Sequence, residues 1–281
     1  YAVAVRKTDG EIVVKSEEYI AIVQNKKIRS LPIIRGVFSF IDSMVLGMST
    51  LTYSASFFMD EEEEEKDEKK ESVMMGLTIA CSVVMAVAIF MILPYFLSQL
   101  FRKFTDSTTL ITLLEGAVRL VIFFGYILLI SRMKDIQRVF MYHGAEHKCI
   151  NCIEHGMELN VENVLKSSRL HKRCGTSFLF IVMIVSIIFF LFIRIESPIW
   201  RVVFRLLLIP VIAGVSFEFI RLAGKSENKL VILLSKPGMM LQKLTTREPD
   251  ASMAEVAIAS VEAVFDWRAY LKENFGWQEK V

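Results

Sequence analysis

Residues 177–193 read SFLFIVMIVSIIFFLFI, seventeen consecutive positions without a charged side chain. A hydrocarbon layer of about 30 Å needs roughly 20 apolar residues in a helix to cross it, so this stretch reads as a membrane span. Three more runs of that kind flank it: Met74 to Leu100, with Pro94 near its end, Leu110 to Ile130, and Ile199 to Leu222. Two of the four carry ionisable groups, which are costly in a bilayer unless they pair, snorkel or face a protein interior. Glu115 and Arg119 stand at i,i+4 and neutralise each other on one helix face. Glu218, in the last run beside Arg201 and Arg205, has no basic residue one turn before it and needs a partner.

The whole chain agrees with that class. Of 281 residues 53% are hydrophobic, mean hydropathy is +0.45, and the net charge of +2 excludes a bulk polyanion partner such as nucleic acid. Basic residues set the orientation, because loops rich in Lys and Arg stay cytoplasmic. Eight lie between Arg132 and Arg173, seven in the first 35 residues, and more follow Leu222. Both termini and the 132–176 loop are therefore expected in the cytoplasm of a multi-pass protein of a bacterial cytoplasmic membrane.

Outside the spans the expected organisation is simple. Residues 1–32 carry a β-hairpin signal, Ala2-Val3-Ala4-Val5 and Ile12-Val13-Val14 around Asp9-Gly10. Residues 33–59 are apolar but broken by Arg35, Gly36, Asp42 and Gly47, which fits an amphipathic or re-entrant helix, with a fifth span as the alternative. Residues 60–73 are a charged linker, 74–222 a four-helix membrane domain, and 223–281 a cytoplasmic tail whose stretch Met253 to Phe265 has helical apolar spacing. The predicted fold is thus mainly α: four transmembrane helices, one amphipathic helix, a small N-terminal hairpin and a C-terminal helix.

All four histidines fall between positions 143 and 171, beginning with His143-Gly144-Ala145-Glu146-His147. On a helix two imidazoles at i,i+4 present nitrogens to one cation, and the neighbouring Glu146 can orient a ligand or accept a proton from water. This is the reverse of the HExxH order and occurs in inverzincin proteases, which add a distant glutamate. Glu218 is the candidate for that third ligand, since the last span ends on the face of the histidine loop. His171-Lys172-Arg173-Cys174 offers another imidazole and a thiol. The expected metal ligands are His143, His147, His171, Cys174 and Glu218. Zn²⁺ suits mixed nitrogen, sulfur and carboxylate donors, with Mn²⁺ or Fe²⁺ as alternatives where the thiol does not bind. Cys149 and Cys152 form a single CxxC pair, which alone is a weak ligand signal.

The stretches FMYHGAEHKCIN, HKRCGTSF, PVIAGVSFEFIRLAG and KPGMMLQKLTTREPDASMAEVAIASVEAV together resemble the YqhQ-like family, bacterial membrane proteins of unknown function described as predicted metal-dependent enzymes. The similarity runs along nearly the whole chain, and AVAVRKTDGEIVVK resembles the family's start without the Gly-rich segment, of the type GGQAVIEGVMMR, that usually precedes it. The resemblance implies that His143, Glu146, His147, His171, Arg173, Cys174, Gly175 and Glu218 belong to shared motifs. Lys172 replaces a common proline and Cys149 a common threonine, which argues against Cys149 as an obligatory ligand. Family membership supplies no reaction, so two functions stand beside a plain reading of the motif as hydrogen-bonded core residues without a metal. In one, a membrane-embedded metallohydrolase acts on peptide or lipid-linked bonds at the cytoplasmic face, with Glu146 as general base and Arg173 polarising the substrate. In the other, the metal is structural and the protein is a scaffold or assembly factor for other membrane proteins. The sequence leaves the oligomeric state open.

Overall fold

A computed structural model describes residues 1–58, 68–193, 195, 197–226 and 228–278. Most of the expected 60–73 linker lies outside them. The chain begins with an antiparallel hairpin, β1 (Ala2–Arg6) and β2 (Ile12–Ser16), in register from Ala2 opposite Ser16 to Arg6 opposite Ile12. Gly10 takes φ +91° in the connecting turn, a conformation open to glycine. The regular elements after it are helical: α1 (Lys26–Ser30), α2 (Ile34–Ser56), α3 (Glu68–Val87), a π-helical turn (Ala88–Ile92), α4 (Leu93–Gln99), a 3-10 turn (Leu100–Lys103) and α5 (Thr108–Ile130). Then follow α6 (Lys134–Glu154), α7 (Val161–Lys166), α8 (Gly175–Phe192), α9 (Pro198–Lys225), α10 (Lys229–Thr245), α11 (Ala251–Glu262) and α12 (Trp267–Phe275).

Five helical stretches are long and apolar enough to cross a membrane, where four spans were expected: 34–56, 73–103, 108–130, 175–192 and 199–225. Four coincide with the apolar runs of the sequence. The fifth is α2, expected to be an amphipathic or re-entrant helix. It meets the criterion because Asp42 is its only charged residue beyond the first turn. That carboxylate is neutralised in place by Arg29 at 3.1 Å, the Tyr19 hydroxyl at 3.1 Å and the backbone N–H of Ile22 at 3.0 Å.

Pro94 shapes the 73–103 stretch. It has no N–H to give to the carbonyl four residues back, that of Phe90, and the helix widens into the π turn there. The Phe90 carbonyl accepts instead from Arg119 Nε of α5 at 2.9 Å. Arg119 also donates to Ser186 of α8 at 3.0 Å and to Glu115 at 2.9 Å. Both oxygens of Glu115 accept from Arg205 of α9, at 2.5 and 2.9 Å. Three charged side chains, all at most 5% exposed, therefore tie α5, α8, α9 and the π turn together. The i,i+4 neutralisation read from the sequence is real but incomplete, because Arg205 makes it a triad.

A second layer sits at one end of the long helices. Its core gathers Ala145, Cys149, Cys152 and Ile153 of α6 with Val164 of α7, Met253, Ala254 and Ala257 of α11, and Trp267 and Leu271 of α12. The hairpin docks on it through Arg6, which pairs with Glu255 at 2.6 Å. Between the layers runs α10, helical through Pro237-Gly238. Gly238 allows its backbone onto Ser177: a Cβ there would lie 3.0 Å from that residue's side chain.

Candidate metal centre

The site forms where α6 passes beneath the start of α8. The polar face of α6 first fastens the 165–171 loop. Lys148, buried, donates to the carbonyls of Leu165 and Ser167 at 2.8 and 2.7 Å. Asn151 donates to those of Ser168 and Leu170 at 2.7 and 3.1 Å. Gln242 of α10 holds His171 by its backbone on both sides, at 2.9 and 2.7 Å, and donates to Ser177 as well. These bonds deliver Cys174 to the N-cap of α8, where its sulfur accepts from the Thr176 N–H.

His143 and His147 project from α6 toward that sulfur, with ring centroids 4.4 Å apart. Each has Nδ1 on a carbonyl: His143 donates to Thr245 at 2.9 Å and His147 to Arg169 at 2.7 Å. A carbonyl only accepts, so Nδ1 carries the proton and Nε2 is the nitrogen each ring has to offer. His143 Nε2 lies 3.3 Å from Cys174 Sγ, and one ligand atom from each of His143, His147 and Cys174 falls within 4.8 Å of the others. Burial pushes the Cys174 thiol up, but the two imidazoles and the Thr176 hydroxyl outweigh it and bring it to about 5. Burial likewise depresses His143, yet its contact with the sulfur leaves it raised above the usual imidazole value. The Cys174 sulfur is therefore a thiolate near neutrality, and the adjacent His143 ring holds a proton more readily than a free imidazole. The donor set of two neutral imidazoles and a thiolate fits Zn²⁺ or another borderline divalent cation.

Beside the cluster opens a cleft of about 450 Å³ lined by His143, Glu146, His147, Ile150, His171, Arg173, Cys174 and Gly175. Glu146 stands exposed at its edge. Arg173 is half-exposed, is held by Glu154 and lies over Gly224 of α9, where a Cβ would come within 2.6 Å of its side chain.

Two expected ligands are not brought to the cluster. His171 is adjacent, 5.8 Å from His147 between ring centroids, but its Nδ1 accepts from the Arg173 N–H at 3.3 Å and its Nε2 faces Glu154 at 3.2 Å, so no lone pair remains for a cation. Burial lowers it further, and it serves as a neutral donor to that carboxylate. Glu218 is taken by Arg35 of α2, whose Nε lies 2.6 Å from it. The reason is rotational. Gly224 marks the face of α9 turned to the cluster, and six residues at about 100° each place Glu218 about 120° away around the helix. Glu154, Thr245 and Arg169, which orient the site, were not singled out in the sequence; two of them act through backbone carbonyls, which no side-chain pattern records. His155 turns back to the Asn151 carbonyl at 2.7 Å. Cys149 and Cys152 are fully buried, with thiols pushed up by burial to about 12 and about 11, as packing residues would be.

Gly144, between the two ligand positions, is where the 246–250 connector crosses α6. A Cβ there would stand 2.0 Å from the Arg247 carbonyl oxygen; the N–H of Arg247 is bonded to the Phe140 carbonyl at 2.8 Å. Gly144→Ala is expected to cost about 1–3 kcal/mol, the usual penalty of overpacking, and to lower the thermal midpoint measured in detergent.

Comparison with known proteins places the chain. Residues 31–267 match the family DUF1385, described as a protein of unknown function. The uncharacterized protein YqhQ of Bacillus subtilis (strain 168) is 35% identical over 290 residues, covering 98% of this chain and 89% of that protein. No solved structure matches. The chain belongs to the DUF1385 family and is YqhQ-like, as its motifs suggested; neither description names a metal or a reaction.

Proposed function

We propose that this member of the DUF1385 family is a multi-pass protein of a bacterial cytoplasmic membrane that hydrolyses a peptide or lipid-linked bond at the cytoplasmic face, using a divalent cation held by His143, His147 and Cys174. The observation that carries the reading is the pair of Nδ1–H bonds to the carbonyls of Thr245 and Arg169, which aim both free imidazole nitrogens at one thiolate. Such bonds fix the tautomer of metal-binding histidines, and here they leave both Nε2 atoms turned toward the same sulfur. The orientation rests on the basic loops, which cluster with the second layer at the α8 N-terminus.

Three protein donors beside an open cleft favour a catalytic over a closed structural site. A bound Zn²⁺ supplies Lewis acidity to a water or a carbonyl oxygen. The chain's own residues do the rest. Glu146, exposed at the cleft edge, would accept a proton from the attacking water and return it to the leaving group. Arg173, braced by Glu154, meets the developing negative charge or an anionic group of the substrate. His171 transmits the Glu154 anchor to the loop that carries Cys174.

The test compares zinc content, after purification without chelator, with cleavage of fluorogenic peptide and lipid-ester probes. Glu146→Gln is expected to keep one zinc per chain and to lose activity at least about 100-fold, the usual contribution of a general base. A zinc-replete Glu146→Gln protein that still complements a deletion strain rejects the hydrolase reading and leaves the clamp-like scaffold in its place.

A pH dependence follows from the cluster. With the Cys174 thiol at about 5 and His143 raised by its contact with the sulfur, an incoming cation competes with the proton on His143. Affinity is therefore expected to fall as pH drops and His143 protonates, with a number of protons released per cation that rises toward lower pH. Titration calorimetry in buffers of different ionisation enthalpy reads that number.

A further inference from the structure

Away from the histidines, a cleft of about 460 Å³ opens between α1, α2 and the last turns of α9, lined by Arg29, Ser30, Arg35, Ser39, Phe217 and Arg221. Three guanidiniums meet there. Two of them face carboxylates, Arg29 with Asp42 and Arg35 with Glu218. Arg221 lies one turn beyond Glu218, and no carboxylate among the described residues comes within ion-pair distance of it. Three positive and two negative charges leave the cleft at +1, and guanidinium N–H groups remain free beside the Ser39 hydroxyl, while that of Ser30 donates to the Lys27 carbonyl at 2.7 Å. Guanidinium forks with neutral hydroxyl donors are what a phosphodiester oxygen pair accepts from.

The rim tells which kind of phosphate fits. Leu31, Ile33 and Ile34 are 48%, 37% and 40% exposed, and α1 adds Lys26 and Lys27. A freely dissolved anion gains nothing from an apolar rim, whereas a lipid lays its acyl chains there. Basic residues above an apolar edge are also the pattern of a segment seated in the headgroup layer. The geometry is enforced by a strained residue. Ile33, the N-cap of α2, holds φ +67°, which a β-branched residue rarely adopts. It is clamped onto Gly214 of α9, where a Cβ would lie 2.5 Å from its carbonyl oxygen, and its N–H points to Glu218 at 3.4 Å. That clamp turns the chain so that Arg29 and Arg35 face Arg221 across the cleft.

We infer that this cleft binds the headgroup of one anionic phospholipid, its phosphodiester held by Arg221 with Arg29, Arg35 and the Ser39 hydroxyl. The site is independent of any cation at His143, and shares with the proposed function only the bilayer.

The experiment is lipid retention by the full chain, purified in mild detergent, exposed to mixed vesicles of phosphatidylglycerol and phosphatidylcholine, and weighed by native mass spectrometry. Wild type is expected to keep one phosphatidylglycerol in preference to phosphatidylcholine. Arg221→Gln, which orphans no carboxylate, should reduce that retention about fivefold, the worth of one basic residue near an anionic surface. Lys229→Gln, the same charge change outside the cleft, should leave it unaltered, as should His147→Ala. Should Arg221→Gln not yield folded protein, the neutral change Ser39→Ala should shift retention in the same direction. Equal retention of the two lipids, equal loss in Lys229→Gln, or an unaffected folded Arg221→Gln protein overturns the site. Displacement of the lipid by inorganic phosphate overturns the lipid assignment in favour of a dissolved anion.

Discussion

Replacing Cys174 by serine is expected to empty the cation site proposed at His143, His147 and Cys174, lowering zinc affinity by more than about 100-fold. The basis is that even outer partners of metal ligands are worth about 10–100-fold, and here the only anionic donor of the set is lost. A serine hydroxyl does not ionise near neutrality, so the site would keep two neutral imidazoles and no charge to offset the cation's. Two measurements make this specific. Cobalt-loaded wild type should show a thiolate-to-metal charge-transfer band that Cys174→Ser lacks, and His147→Ala should lose the metal while its Cys174 stays reactive to alkylation. A Cys174→Ser protein that binds zinc as wild type does removes the thiolate from the centre and with it the proposed donor set. The helix start should tolerate the change, since serine is itself a good N-cap and can accept from the Thr176 N–H.

The second large effect is expected in the interior triad. Glu115→Gln leaves Arg119 and Arg205, both at most 5% exposed, facing each other without the carboxylate that each now touches. Removing one partner of a buried pair typically costs about 3–5 kcal/mol, because the survivor cannot be solvated. Arg205 has little in reserve, as its buried Nε has no partner. It does rest on the Phe190 ring, 4.6 Å from the centroid, and such a contact recovers only part of the loss. Unfolding in mixed detergent micelles should show the loss. The triple change Glu115→Leu, Arg119→Met, Arg205→Met, which removes every charge of the group at once, should restore most of it, since apolar packing often equals a buried ion group. A triple variant as weak as Glu115→Gln would mean that the Phe90 and Ser186 hydrogen bonds, and not the charge balance, hold these helices together.

Much of the fold was legible because apolar runs leave little choice: four helices lie within a few residues of where hydrophobicity put them. What stayed hidden depends on rotation and on the backbone. The basic loops set an expected depth for Glu218 but said nothing of its azimuth; it pairs with Arg35 and not with the histidines, so its need for a partner was legible and the partner was not. Asp42 weakened α2 as a candidate span only until Arg29, Tyr19 and Ile22, remote in sequence, were seen to cover it. At the centre itself, His143, His147 and Cys174 were legible from type and spacing. The exclusion of His171 was not, because it turns on a backbone N–H donated by Arg173.

The Glu115 triad also bears on how the chain is made. Glu115 and Arg119 leave the ribosome together as a pair of zero net charge, and Arg205 follows 90 residues after Glu115. Early in synthesis α5 can therefore enter a bilayer as a self-neutralised hairpin partner of α3 and α4, while α9 arrives last with a cation that has one prepared berth. Such an arrangement makes the docking of α9 a checkpoint, and a chain truncated before position 205 a set of earlier helices with an unfinished lock.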